Sequence, residues 1–284
     1  MNVTQCAFTV DVEDYFQVDA FSDVIPVSAW DAYESRVVPN TVRILDTLDE
    51  FKVRGTFFVL GWIARRQAGL VREIARRGHE VASHGMSHQR IVTQTRDVFR
   101  QETRDSKRLL EDLIQAPVEG YRAATYSITR ESLWALDILT EEGFRYDSSI
   151  FPIRHDRYGI PDAKTSPHLL RTPGGNSIVE FPITAASILG INIPVSGGGY
   201  FRFLPYAVTR WGLNNVRGDG RSVVFYMHPW EVDPGQPRIP GIRWRSRFRH
   251  YLNLQRTVPR LAHLLRDFPF STMRDCLVRE GLLK

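Results

Sequence analysis

Short β-branched or aromatic runs recur along the chain, and between them apolar residues return every three or four positions. A period of two suits strands and one near 3.6 suits helices, so the alternation predicts parallel strands joined by right-handed helical crossovers. Strands are expected at 7–11, 55–60, 80–83, 120–122, 146–148, 178–181 and 223–227, and seven such runs suggest a barrel. Helices are expected at 41–50, with Val42, Leu45 and Leu48 on one face, and at 64–77, with Leu70, Ile74 and Ala75 beneath a basic outer face. Others are expected at 93–113, where Glu102, Arg104 and Lys107 mark a solvated face, at 132–142 and at 258–267. From 154 to 175 proline, glycine and histidine become frequent, which predicts an irregular excursion over the barrel mouth.

The first strand, FTVDVEDYF, runs from apolar residues into Asp11, Glu13 and Asp14. A strand covered on both faces cannot hold free charge in its middle without a large desolvation cost, so these acids belong at its C-terminal end, facing a cavity. In a barrel that end is the active face. His84 and His88 stand four apart where the chain leaves the third strand. Neutral imidazoles ligate zinc and similar ions, and two of them with one carboxylate form a facial triad with positions open to water and substrate. Alone, the pair would read as two surface histidines; the acids upstream make it a candidate metal centre. Strand alternation puts Glu13 on the same face as Asp11, whereas a strand ending at Asp11 turns Asp14 inward, so both remain candidates for the third ligand.

With 284 residues, 43% of them apolar, the chain can bury the core of one large α/β domain with a C-terminal elaboration. Its net charge of +5 comes mostly from arginine spread over many segments, which is compatible with an anionic or lipid-linked ligand and does not point to nucleic acid. Two cysteines, Cys6 and Cys276, provide no disulfide framework, and a reduced compartment fits them best. The opening MNVTQCAFTVDVEDYF lacks a basic and apolar leader, and no run of 18 apolar residues occurs, so a cytoplasmic protein is expected. The glycine-rich stretch SILGINIPVSGGGYF is apolar enough to line a groove or touch lipid.

Asp11 with Glu13 or Asp14, SHGMSH at 83–88, GYRAATYS with Arg122, RYDSSIFP with Asp147 and VVFYMHPWE with His228 follow one another along the chain. In these segments and their order the chain resembles the polysaccharide deacetylase superfamily (NodB homology, carbohydrate esterase family 4), SHGMSH standing at its H-[ST]-x-x-H motif. Ala124 departs from the proline that many relatives carry. Within the superfamily, DVEDYFQV, RGTFFVLGW, SGGGYFR and MHPWEVDPGQP resemble the subgroup associated with exosortase and exopolysaccharide loci, and RHYLNL through DFPFSTM resembles its extra domain. The resemblance implies a distorted seven-stranded (β/α) barrel over residues 1–230, with 231–284 as an extension packed on it.

The same resemblance implies hydrolysis of N-acetyl groups from an amino sugar, in an N-acetylated oligo- or polysaccharide or its lipid-linked precursor. A divalent metal would activate the water, zinc first, with cobalt, nickel or manganese as alternatives. Glu13 or Asp14 with His84 and His88 would hold it. Asp11 would be the base, Arg122 its orienting partner, His228 the acid for the leaving amine and Asp147 the group that tunes His228. A backbone N–H within 122–124 would face the oxyanion, and Tyr126 and Trp230 would line the sugar groove. His155 and His168 are candidate substrate contacts, while His79 and His263 read as structural. No nucleic acid and no obligate protein partner are implied; peripheral association with the inner membrane face is compatible with the lipid-linked substrate. Two other readings compete: an allantoinase-like amidohydrolase on a small cyclic amide, and a catalytically silent glycan-binding assembly protein. Retention of Asp11, His84, His88 and His228 favours the metal enzyme.

Overall fold

β1 (Cys6–Val12) is buried along its whole length and organises the fold. Phe8, Val10 and Val12 point outward beneath the helices, while Ala7 joins an inner cluster; by the pleat, Thr9 and Asp11 point inward with it. The structure, a computed structural model, describes residues 4–188 and 190–284. In chain order the other strands are β2 (Thr56–Val59), β3 (Glu80–Ser83), β4 (Gly120–Tyr121), β5 (Tyr146–Asp147), β6 (His168–Arg171), β7 (Ser177–Glu180), β8 (Ala185–Ile188), β9 (Ile191–Pro194), β10 (Val223–Met227) and β11 (Phe270–Ser271).

Seven of these run parallel in the order β10, β1, β2, β3, β4, β5, β7, and they are the seven expected runs. The sheet curls into a distorted barrel whose seam, between β7 and β10, is bridged by single bonds rather than a ladder. Val224 N–H donates to Thr184 Oγ1 at 2.7 Å and Tyr226 N–H donates to the Ser196 carbonyl at 2.9 Å. At that seam Gly197 has φ +144°, and a Cβ there would stand 1.9 Å from the Tyr226 carbonyl oxygen, so the close approach requires glycine. β6 pairs antiparallel with β7 at the edge, inside the segment expected to be irregular, and β8 with β9 forms a separate hairpin.

The amphipathic segments cover the outside as α1 (Val37–Glu50), α2 (Gly61–Arg66), α3 (Ala68–Arg76), α4 (Arg96–Ile114) and α5 (Trp134–Glu141). The single helix expected at 64–77 is two, broken at Gln67, whose φ of −125° and ψ of 47° leave the helical region. On α4, Arg104 reaches Glu142 and Lys107 reaches Glu111 at the rim, but Glu102 turns inward and accepts the Ser87 hydroxyl at 2.6 Å.

After β9 come α6 (Gly198–Phe203), α7 (Tyr206–Gly218), α8 (Trp244–Tyr251), α9 (Thr257–Asp267) and α10 (Met273–Arg279). β11 pairs with β1 at Cys6 and Ala7, below the point where β2 begins. From α10, Met273, Cys276 and Leu277 join Phe58, Phe181 and Tyr226 in the inner cluster and close the lower end of the barrel. Among the described residues no helix is long and apolar enough to cross a membrane.

Candidate active site

The acids and histidines meet where the parallel strands end. Parity along β1 carries Asp11 into the barrel, and Glu13, two residues on, follows it. Arg122, just beyond β4, is fully buried and donates from Nη1 to Asp11 Oδ1 at 2.7 Å and to Thr9 Oγ1 at 2.8 Å. Its other donors go to the Ser148 carbonyl and hydroxyl, both at 3.1 Å, and its guanidinium lies 4.1 Å above the Phe58 ring. A buried cation saturated in this way holds Asp11 in one orientation.

Ligating atoms of Glu13, His84 and His88 lie within 4.8 Å of one another. The donor set suits a divalent ion. His84 Nδ1 is 2.8 Å from the Arg122 carbonyl, which fixes the proton on Nδ1 and turns the Nε2 lone pair outward, as metal-bound histidines are held. Burial pushes this imidazole down to about 4, which keeps it neutral. His88 Nε2 is 2.5 Å from Glu13 Oε2 but without hydrogen-bond alignment, so that buried oxygen has no hydrogen-bond partner. Burial alone would raise the Glu13 carboxyl, but the fields of His88, His228 and His84 override it and hold it well below the ordinary carboxylate range. His88 itself has φ +53°, a left-handed conformation that is costly outside glycine and that aims the ring back at Glu13. In the motif position after His84, where serine or threonine is usual, Gly85 sits at φ +75°.

Asp14 goes elsewhere. Its carboxylate accepts the Ser35 hydroxyl at 2.7 Å and the N–H groups of Tyr15, Arg36 and Val37, so it holds the N-terminus of α1 and leaves Glu13 alone facing the histidines.

His228 follows β10. Its Nε2 is 3.9 Å from Asp11 Oδ2 and 3.7 Å from Glu13 Oε1, and its Nδ1 is 2.7 Å from Glu231 Oε1. Burial lowers this imidazole, but Glu13, Glu231 and Asp11 together raise it to about 9, so it carries a proton at neutral pH. Glu231 is in turn bound by the buried Arg202, Nε to Oε2 at 2.7 Å. Asp147, expected to tune His228, does not touch it. Its carboxylate accepts the Ser149 hydroxyl and N–H, and Ser149 Oγ accepts the Ala123 N–H at 2.8 Å, so Asp147 shapes the loop beside Arg122. Glu231 was readable as the last residue of H-P-W-E, the spacing of a capping box around a short helical turn, which His228 and Glu231 form. Arg202 had no signal beyond its glycine-rich neighbours.

Trp230 and Tyr126 are 5% and 7% exposed, which corrects their expected place as groove walls because neither offers an open ring face. The Trp230 indole N–H donates to Glu13 Oε1 at 3.1 Å from beneath. Tyr126 packs on Phe151 and Tyr226 inside the barrel, with a buried hydroxyl that has no hydrogen-bond partner, and both Thr125 and Tyr126 have positive φ. His79 accepts the Gly55 N–H through Nδ1, His155 pairs with Asp156, His168 lies in the edge strand β6 and His263 is exposed on α9. Beside His88 a cavity of about 250 Å³ opens among Phe16, Gln17, Asp19, Trp30 and Arg90.

A curled parallel barrel thus gathers carboxylate, imidazole and guanidinium groups at its strand ends. Residues 28–145 match the polysaccharide deacetylase family profile, and residues 148–278 match a domain of unknown function, DUF3473. The chain therefore carries a polysaccharide deacetylase domain followed by this second domain. It is 37% identical over 106 residues to a chitooligosaccharide deacetylase of Sinorhizobium fredii, covering 36% of this chain and 46% of that protein. To one of Rhizobium leguminosarum bv. trifolii it is 29% identical, over 51% of this chain and 60% of the relative. The chain thus spans about half the length of these curated relatives. A solved Mycobacterium smegmatis protein assigned to the polysaccharide deacetylases aligns over 99% of this chain and 91% of its own, with TM-score 0.62 and 25% identity. An allantoinase with TM-score 0.64 at 13% identity, over 97% of this chain and 89% of its own, shares the fold.

Proposed function

We propose that the chain is a metal-dependent N-deacetylase that hydrolyses acetyl groups from an amino sugar. The observation that carries this reading is the convergence of Glu13, His84 and His88 beside two oppositely charged pairs, Asp11 with Arg122 and Glu231 with His228. When bound by Glu13, His84 and His88, a divalent ion, zinc first given two imidazoles and a carboxylate, polarises the acetyl carbonyl and brings the pKa of a water towards about 7. Asp11, locked by Arg122, takes the proton of the attacking water. The N–H groups of Arg122 and Ala123 are spent on Ser83 and Ser149, so the backbone donor we assign to the oxyanion is that of Ala124. His228, protonated and held through Nδ1 by Glu231, gives its Nε2 proton to the leaving amine.

The substrate we assign is an N-acetylated oligo- or polysaccharide of an export pathway, or its lipid-linked precursor. Residues 1–230 form the catalytic barrel in this reading, and 231–284 the extension that backs it. The test is metal content of the purified protein followed by acetate release from N-acetylhexosamine oligomers, with and without chelator. Stoichiometric metal, and acetate release that chelator removes and added metal restores, is the expected result; a metal-free protein, or release indifferent to chelator, ends the reading.

A further inference from the structure

Between Asp233 and Asp267 the chain carries eight arginines and no acidic residue, a local departure from the spread of basic residues elsewhere. Three of them, Arg245, Arg247 and Arg249, lie in α8, and Arg243 directly precedes it. Trp244 and Phe248, four apart and therefore on one face, are 73% and 53% exposed. Arg245 and Arg249, also four apart and exposed, run beside them. Among the described residues no carboxylate lies within 4.0 Å of Arg245, Arg247 or Arg249, and Arg243 meets the exposed Asp23 at 3.6 Å.

The other side of α8 is fixed. His250 is buried and stacks on Trp230 at 4.2 Å, the same indole that holds Glu13. Arg202 Nη1 donates to the carbonyls of Arg249, His250 and Leu252. The arginine and aromatic face is therefore set rigidly with respect to the candidate metal centre. Two more exposed apolar residues border it: Phe203, at the end of α6, which packs on α8, and Val24, beside Gly241. Val24 belongs to the loop whose neighbours Ser22, Ile25, Pro26 and Val27 line the cavity next to His88.

We propose that the outer face of α8, centred on Trp244 and Phe248, docks on an anionic phospholipid membrane. Exposed aromatic rings on a helix are unfavourable in water, whereas in a headgroup layer they sit at the interface while guanidinium groups pair with phosphates. The unpaired positive charge on this face complements an anionic surface. Docking here brings the cavity beside His88 close to the bilayer. The surface itself does not rest on the deacetylase reading, since a chain without metal keeps it.

The test is sedimentation of the full chain with vesicles of phosphatidylglycerol and phosphatidylcholine in equal parts, against phosphatidylcholine alone. Binding to the anionic vesicles only, weakening with salt, is expected. Arg245→Glu with Arg249→Glu should lower the partition at least about tenfold, by the strength of arginine near an anionic surface. Trp244→Ser with Phe248→Ser should also lower it, with circular dichroism unchanged in both variants. Equal loss on reversing the exposed Arg72 and Arg108 elsewhere would reduce the effect to net charge and overturn the proposal. So would indifference to both α8 variants, binding to neutral vesicles, or binding to heparin or single-stranded DNA in place of the vesicles.

Discussion

The barrel ends in two pairs of carboxylates, and they are treated in opposite ways. At the end of β1, Asp11 and Glu13 face Arg122, His88 and His228, so cations surround them. At the ends of β5 and β7, Asp147 and Glu180 are register partners and face each other. Burial pushes both of these carboxyls up, and mutual repulsion adds to it for Glu180, whose Oε2 has no other partner. Both effects favour one proton shared by the pair. Cations beside Glu13 hold its carboxyl down, whereas burial, only partly offset by Arg122, drives Asp147 and Glu180 towards the protonated form.

The comparison can be broken most severely at the cationic end. His84→Ala and Glu13→Gln should each abolish bound metal, read by elemental analysis, and with it acetate release. Asp11→Asn should keep the metal while cutting turnover by about 10² or more, the scale of a lost general base. Equal metal loss in all three would remove the division between ligands and base. Glu231→Gln leaves His228 unsupported, and we expect kcat to fall about tenfold with KM little changed, as for other orienting partners; a change confined to KM would place His228 outside the chemistry.

Effects at the other acids should fall on stability. Asp14→Asn should leave metal titration untouched and cost about 1–2 kcal/mol in urea unfolding, the scale of a lost helix cap with a charged acceptor. For the paired acids the folded state binds a proton that the unfolded chain releases, so their contribution falls as pH rises above the ordinary carboxylate range. Glu180→Gln should therefore stabilise the fold by about 1 kcal/mol at neutral pH and less in acid. A stability gain independent of pH would show that the pair does not share a proton.

Much of the site was legible because motif residues sit at strand ends. Asp11 is the penultimate residue of β1, and His84, Arg122 and His228 each directly follow the last residue of a strand. The choice between Glu13 and Asp14 was not legible, since it depends on where α1 begins: its unsatisfied N–H groups, more than 20 residues away, claim Asp14. Nor was the identity of the partner of His228. The motif pointed to Asp147, while the chain fold set Glu231 on the imidazole and Asp147 on Ser149. β11 is two residues long and α10 seven, too short for periodicity to announce either, so the plug at the base of the barrel could not be foreseen.

By itself the sequence determined seven buried parallel strands, the order of the helices between them and the residue types delivered to the strand ends, because period and desolvation are local properties of the chain. Tertiary structure alone decided which of those groups meet. Whether a carboxylate becomes a metal ligand, a helix cap or half of a protonated pair depends on the donors and charges that distant segments bring within about 4 Å, where Coulomb and hydrogen-bond energies outweigh hydration.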